Sequence, residues 1–117
     1  MDLDNAIQKH AEWKTKLRNA IRANETLDAA AITKDNNCEF GKWLHGQAKT
    51  LYGKSPFYAK CLADHAAFHV EAGKVAAAVN AKKKDEAERL LASGSAFATI
   101  SNKVGISILE LRHEIHA

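Results

Sequence analysis

Apolar residues recur at steps of three and four along most of the chain, the repeat expected of helices buried on one face. The first stripe runs Leu3, Ile7, His10, Lys14, Leu17, Ile21, with Trp13 and Ala20 widening one flank, and predicts a helix over about residues 3–24 with Asp2 as its cap. Residues 25–37 lose the repeat, and Asp35, Asn36 and Asn37 offer capping oxygens to a short helix carrying CEFGKWLHGQ, residues 38–47. After the Tyr52-Gly53 turn, Ser55-Pro56 is a strong start signal, with a capping hydroxyl followed by a proline in the first turn. It predicts a long helix from Pro56 to about Asn80, with Tyr58, Leu62, His65, His69, Ala72, Ala76 and Val79 on one seam. Asp85 and Glu88 read as a capping box opening a last helix, whose stripe is Leu90, Gly94, Phe97, Ser101, Val104, Ile108, Leu111 and Ile115. That helix spans ~45 Å at 1.5 Å per residue and has no imidazole or carboxylate on its seam. Three long helices and one short one predict an all-α, antiparallel four-helix bundle, a single domain over residues 1–117.

Composition narrows the function classes. Hydrophobic residues are 46% of the 117, many of them alanine, with six glycines and one proline, which suits closely packed helices. A net charge of +3 and a pI near 8.9 fall short of a nucleic-acid footprint, and the one basic run, Lys82 to Lys84, reads as a solvated turn. Nucleic acid is therefore not expected as a partner. No apolar stretch approaches the ~20 residues of a membrane span, and nothing resembles a signal peptide. Cys38 and Cys61 make no disulfide framework, so a reducing, cytoplasmic setting is expected.

Within CLADHAAFHVEAG, residues 61–73, His65 and His69 stand one helical turn apart on the same face. His10 lies on the inward stripe of the first helix, so three imidazoles face one interior. As ordinary core histidines each would need its own buried partner, whereas one shared cation satisfies all three. Cys38 is the candidate fourth donor: it opens the short helix, where the positive end of the helix dipole favours a thiolate. Its rival Cys61 lies one turn before His65, on a seam with Phe57 and Phe68, and reads as a small buried hydrophobe. The separations 10, 38 and 65 match no short zinc-finger signature, so only bundle geometry brings these residues together. Three imidazoles and a thiolate form a closed tetrahedral set with no position left for a reacting water, and no carboxylate on these seams offers a general base. No enzyme activity is expected.

The runs HAEWKTKL (10–17), CEFGKWLHG (38–46) and HAAFH (65–69) resemble the chemoreceptor zinc-binding domain: histidine followed three residues later by tryptophan, then C-x-x-G-x-W-L, then H-x-x-F-H. The resemblance covers nearly the whole chain in order. It implies zinc held by His10, Cys38, His65 and His69 in an all-helical homodimer that serves bacterial signalling beside a chemoreceptor signalling segment or a diguanylate cyclase. The chain has room for neither output, so an adjoining or partner domain is expected to supply it. The expected stimulus is zinc availability, or oxidation of Cys38 by an oxidant such as hypochlorous acid, with Cys38 as the redox switch on a helix too short to be stable alone. Gly41 would allow close approach of that helix, Trp43 with Phe40 and Leu44 would pin it, and Trp13 and Phe68 would keep water from the site. Leu91, Ile100, Ile106 and Leu109 lie beyond the last stripe and are available to a dimer interface. Two alternatives belong to other classes. A hemerythrin-like di-iron bundle would need bridging carboxylates, such as Asp64 and Glu71, and further histidines, such as His113 and His116. A metal-free interaction bundle would need neither. Asp64 and Glu71 lie off the histidine seam, and His113, His116 and His45 read as solvent-facing.

Overall fold

A computed structural model describes residues 1–116. Its helices are α1 (Leu3–Ala23), α2 (Ala29–Thr33), α3 (Glu39–His45), α4 (Gln47–Tyr52), α5 (Pro56–Asn80), α6 (Lys84–Leu91) and α7 (Ala96–Ile115), with no strand among the described residues. The long helices start where their capping residues predict. Asp2 accepts the Asn5 N–H at the head of α1, and the Ser55 hydroxyl accepts the Phe57 and Tyr58 N–H groups at the head of α5. Asn24 ends α1 in the left-handed conformation, φ 52°.

The fourth rod of the bundle is the segment between α1 and α5. It starts beside the C-terminal end of α5, where Leu27 exchanges two hydrogen bonds with Asn80, passes His69 at Ile32, and reaches Tyr58 at Leu44. It therefore runs antiparallel to α5. On the opposite side, Asp64 pairs with Ser107, Lys60 with Glu110 and Ser55 with Glu114, which lays α7 antiparallel to α5. Arg112 meets Asp4 at 3.1 Å, which places α7 antiparallel to α1 as well. The result is an up-down-up-down bundle in which α1 and α5 are the parallel diagonal pair. Leu17, Phe68, Val75, Leu91, Phe97, Val104, Ile108 and Leu111 fill its centre, with Ala20, Ala72, Ala76 and Ala87 letting the rods approach.

Several local expectations are corrected. The last helix is two helices: Ala92 leaves the helical conformation, Gly94 turns at φ 82°, and Ser95 caps α7 by accepting the Ala98 N–H. A glycine followed by a capping serine stops and restarts a helix more effectively than one stripe position can sustain it. The Asp85–Glu88 capping box does not form, because α6 begins two residues earlier than an Asp85 cap would set it, with Lys83 at its cap position and Asp85 in its first turn. Residues 25–55 hold three short helices rather than one. α3 ends at His45, where Gly46 interrupts the run, and α4 follows. The cap of α3 is Cys38 itself, its sulfur accepting the Gly41 N–H, in place of Asp35, Asn36 or Asn37. Leu91 is consumed by the chain's own core and Ile100 is half-buried, so only Ile106 and Leu109 of the expected contact residues stay exposed. Phe57, expected on the Cys61 seam, is exposed too. No helix among the described residues is long and apolar enough to cross a membrane.

Candidate metal centre

Three rods deliver the polar residues of the core to one point. On α5 the helical repeat buries His65 and His69 on the face that carries Cys61, Ala72 and Ala76. On α1 the same repeat buries His10 between Ala6 and Leu17. Cys38 arrives from the loop ahead of α3. Gly41 explains how that loop comes so close: a Cβ there would lie 1.6 Å from the Asp35 carbonyl oxygen and 3.2 Å from His65 Cε1. Hydrogen alone fits this position.

One donor atom from each of His10, Cys38, His65 and His69 lies within 4.8 Å of the other three. Three of the pairs are tighter still. His65 Nε2 is 3.1 Å from His69 Nε2, and the Cys38 sulfur is 3.4 Å from the first and 3.7 Å from the second. Tetrahedral zinc, with bonds near 2.05 Å to nitrogen and 2.3 Å to sulfur, separates its ligands by about 3.3 Å (N–N) and 3.6 Å (N–S). The spacing of the Cys38, His65 and His69 donors already fits the ion.

The protonation pattern fits as well. His69 Nδ1 donates to the Ile32 carbonyl at 2.8 Å, and His10 Nδ1 donates to the Ala6 carbonyl at 2.7 Å. Each bond fixes a tautomer whose Nε2 lone pair faces the cluster, the usual outer support of a metal-binding histidine. His10 Nε2 is then a buried acceptor with no partner among the described residues, and His65 Nδ1 is likewise buried without one. Burial holds all three imidazoles below their ordinary range, His65 to about 2, helped by its imidazole neighbours His10 and His69. Bonds to the Ala6 and Ile32 carbonyls only partly offset burial at His10 and His69. Neutral rings are what a cation requires.

Cys38 departs from expectation. Its position at the head of α3 and the Gly41 N–H both lower its pKa, but burial outweighs them and the thiol titrates above its ordinary value, with Asp35 adding to the rise. The dipole of a seven-residue helix does not by itself make a thiolate here. A bound cation would, since a coordinating thiol is deprotonated outright.

Rings enclose the cluster. Phe40 stands edge-on to His10 and His65 at 5.6 and 5.1 Å, and Phe68 to His10 and His69 at 5.3 and 5.5 Å. Trp13 approaches His69 at 6.4 Å, and Trp43, half-buried, stacks on Phe40. Cys61 is fully buried outside the group, its thiol pushed up to about 12 by burial and by Asp64. Asp64 is engaged by Ser107, and Glu71 by Lys74 at 2.9 Å, while His113 and His116 are exposed. None of these joins the donor group. His45 is exposed and pairs with Asp35 at 2.9 Å, a contact sequence reasoning missed. It also missed the two carbonyl supports. Ala6 stands four residues before His10, a spacing that points to such a bond. Ile32 carries no local signal.

A family model described as chemoreceptor zinc-binding domain matches residues 10–76, more than half of the chain and a span holding all four donors. No curated protein and no solved structure gives a significant match.

Proposed function

Because the chain belongs to the chemoreceptor zinc-binding family, a family of zinc-binding signalling domains, we propose that it is a single regulatory domain in which His10, Cys38, His65 and His69 hold one zinc ion. The observation that carries this reading is the convergence of four donor atoms from three separate rods, two of the imidazoles already locked with their free nitrogens turned inward. A zinc ion held there would supply a structural cross-link between α1, the head of α3 and α5. The chain's own groups do the rest. Ala6 and Ile32 orient the imidazoles, Gly41 admits α3, and Phe40, Phe68 and Trp13 exclude water, with Trp43 backing Phe40. With all four positions filled by protein, the centre regulates rather than catalyses.

The output is bacterial chemotaxis or cyclic-dinucleotide control, exerted on an adjoining or partner chemoreceptor segment or diguanylate cyclase in the cytoplasm by a homodimer that uses the exposed Ile106–Leu109 face. The stimulus is zinc availability or oxidation of Cys38 by hypochlorous acid or a peroxide. Attack of the thiolate on a peroxide oxygen forms S–O, breaks O–O and releases hydroxide, leaving a sulfenic acid that no longer ligates. α3 then loosens, since seven residues do not sustain a helix unaided.

The test is metal analysis of the intact protein beside Cys38→Ala and His69→Ala. One zinc per chain, lost in both variants, is the expected result. Undiminished zinc in Cys38→Ala would require reassigning the fourth ligand, with Cys61 tested next. The switch is tested separately by hydrogen exchange: removing zinc or oxidising Cys38 should raise exchange across residues 35–50, and unchanged protection there would refute it.

A further inference from the structure

The four donors are not equally enclosed. His65 and His69, 0% and 2% exposed, sit on α5 with their backs to the core. His10 and Cys38 line a cleft of about 260 Å³ between α1 and α3, walled by Trp13 and Phe40 with Lys9 and Glu39 at its mouth. His10, whose buried Nε2 has no partner among the described residues, is one of the residues lining it. α1 and α3 have few other contacts with each other. The direct polar bridge across the mouth is Lys9 to Glu39 at 3.9 Å, and both side chains are well exposed. Such a pair is weak and easily parted.

We infer that this cleft is the binding site of the small chelating ligand that loads and strips the zinc, with Trp13 and the Lys9–Glu39 pair as its gate. The inference rests on the zinc reading above. A ligand arriving from the α5 side would have to cross the packed core. One arriving through the cleft meets the two donors on separate rods first and the paired α5 histidines last.

The cleft sets the class of ligand. At ~30 Å³ per water it holds roughly eight waters, the space of a compact, flat nitrogen or sulfur chelator rather than a protein loop. The mouth carries Lys9 and Lys16 against Asp2 and Glu39, so its formal charges cancel and selection falls to size and donor softness. Trp13 offers a flat apolar wall, although Lys16 lies over its ring at 5.2 Å and narrows the way in. In the exchange the ligand departs with the zinc and the Cys38 sulfur takes one proton from water. No electron changes hands.

The experiment uses the zinc-loaded full chain and 4-(2-pyridylazo)resorcinol, a flat chelator whose absorbance reports zinc capture. Zinc content is measured first, and absence of stoichiometric zinc would overturn both the site and its port. With zinc present, the capture rate should rise in proportion to chelator concentration. It should increase about threefold to tenfold in Trp13→Ala and in the Lys9→Ala/Glu39→Ala double variant, a tenfold change being about 1.4 kcal/mol of barrier. Lys74→Ala, on the far side of α5, should leave it unchanged. The surface double variant keeps the test valid if Trp13→Ala folds poorly. A rate independent of chelator concentration, or wild-type rates in zinc-loaded cleft variants, would overturn the inference while leaving the zinc site intact.

Discussion

Gly41→Ala adds one methyl group three residues beyond Cys38, and the structure says where it must go. The new Cβ would lie 1.6 Å from the Asp35 carbonyl oxygen and 2.8 Å from its carbon, where real contacts begin near 3.0 Å. The obstruction is backbone, so no rotamer relieves it. α3 must withdraw from the Asp35 turn by about 1.4 Å. Metal–ligand bonds tolerate deviations of only about 0.2 Å. Cys38 moves with α3, because its sulfur is bound to the Gly41 N–H at 3.3 Å and caps the helix. Overpacking of this kind costs about 1–3 kcal/mol of stability. The larger effect is expected on zinc: displacing a ligand should exceed the roughly 10- to 100-fold cost of losing an outer-shell support. Competition against a zinc indicator measures the affinity, and melting with and without zinc separates fold from site. Zinc affinity within threefold of wild type would refute the argument that the Asp35 carbonyl sets the position of α3.

Other positions make contrasting predictions. A Cβ at Gly105 meets nothing within 4 Å, so Gly105→Ala in mid-helix should stabilise the protein by about 0.5–1 kcal/mol in urea titration without altering zinc content. Asn80→Ala removes both the donor to the Leu27 carbonyl and the acceptor of its N–H, at 2.6 and 2.7 Å, and should cost about 1–3 kcal/mol while zinc stays bound. In the zinc-free protein, buried His10, His65 and His69 resist protonation that the unfolded chain accepts near pH 6.5. Stability should therefore be level above pH 7 and fall as pH drops below 6.5, by up to about 1.4 kcal/mol per pH unit for each histidine. Urea midpoints from pH 7.5 to 5 check the sign, and a midpoint that held constant or rose on acidification would contradict it.

The inward histidines were legible because a helix buried on one face repeats its apolar positions, and His10, His65 and His69 interrupt that repeat without shifting it. The long helices were legible from the same repeat and from Asp2 and Ser55. The rod between α1 and α5 was not. α2 is five residues long and lies in a stretch without periodicity, held by Asn80 and His69 on a helix more than thirty residues away in sequence. Its Ile32 carbonyl supports the site, yet a carbonyl is common to every residue and leaves no trace in composition. The break before α7 failed for the opposite reason. Gly94 fell in step with the apolar stripe and was read as part of it, although Ser-Gly-Ser is also the local pattern of a helix stop followed by a cap. Periodicity and capping pointed different ways there, and capping won because a glycine contributes nothing to the buried face.

The unexpected behaviour of Cys38 bears on how the proposed switch combines its two stimuli. Burial keeps the unligated sulfur a thiol despite its place at the head of α3, and a thiol is a poor nucleophile toward oxidants. Cys38 lines the α1–α3 cleft, and a bound zinc would make its sulfur a thiolate there, within reach of a small oxidant. In the proposed switch metal occupancy would then set redox sensitivity, and the two signals would act in series. On that proposal, zinc-loaded protein would be the oxidisable form, and zinc-free protein would already have released α3. Either event would act on the same sulfur, a candidate metal donor that also caps α3. The α5 histidines are buried in the core and tied to Ile32 through His69, which would let the domain lose its fourth ligand without losing its bundle.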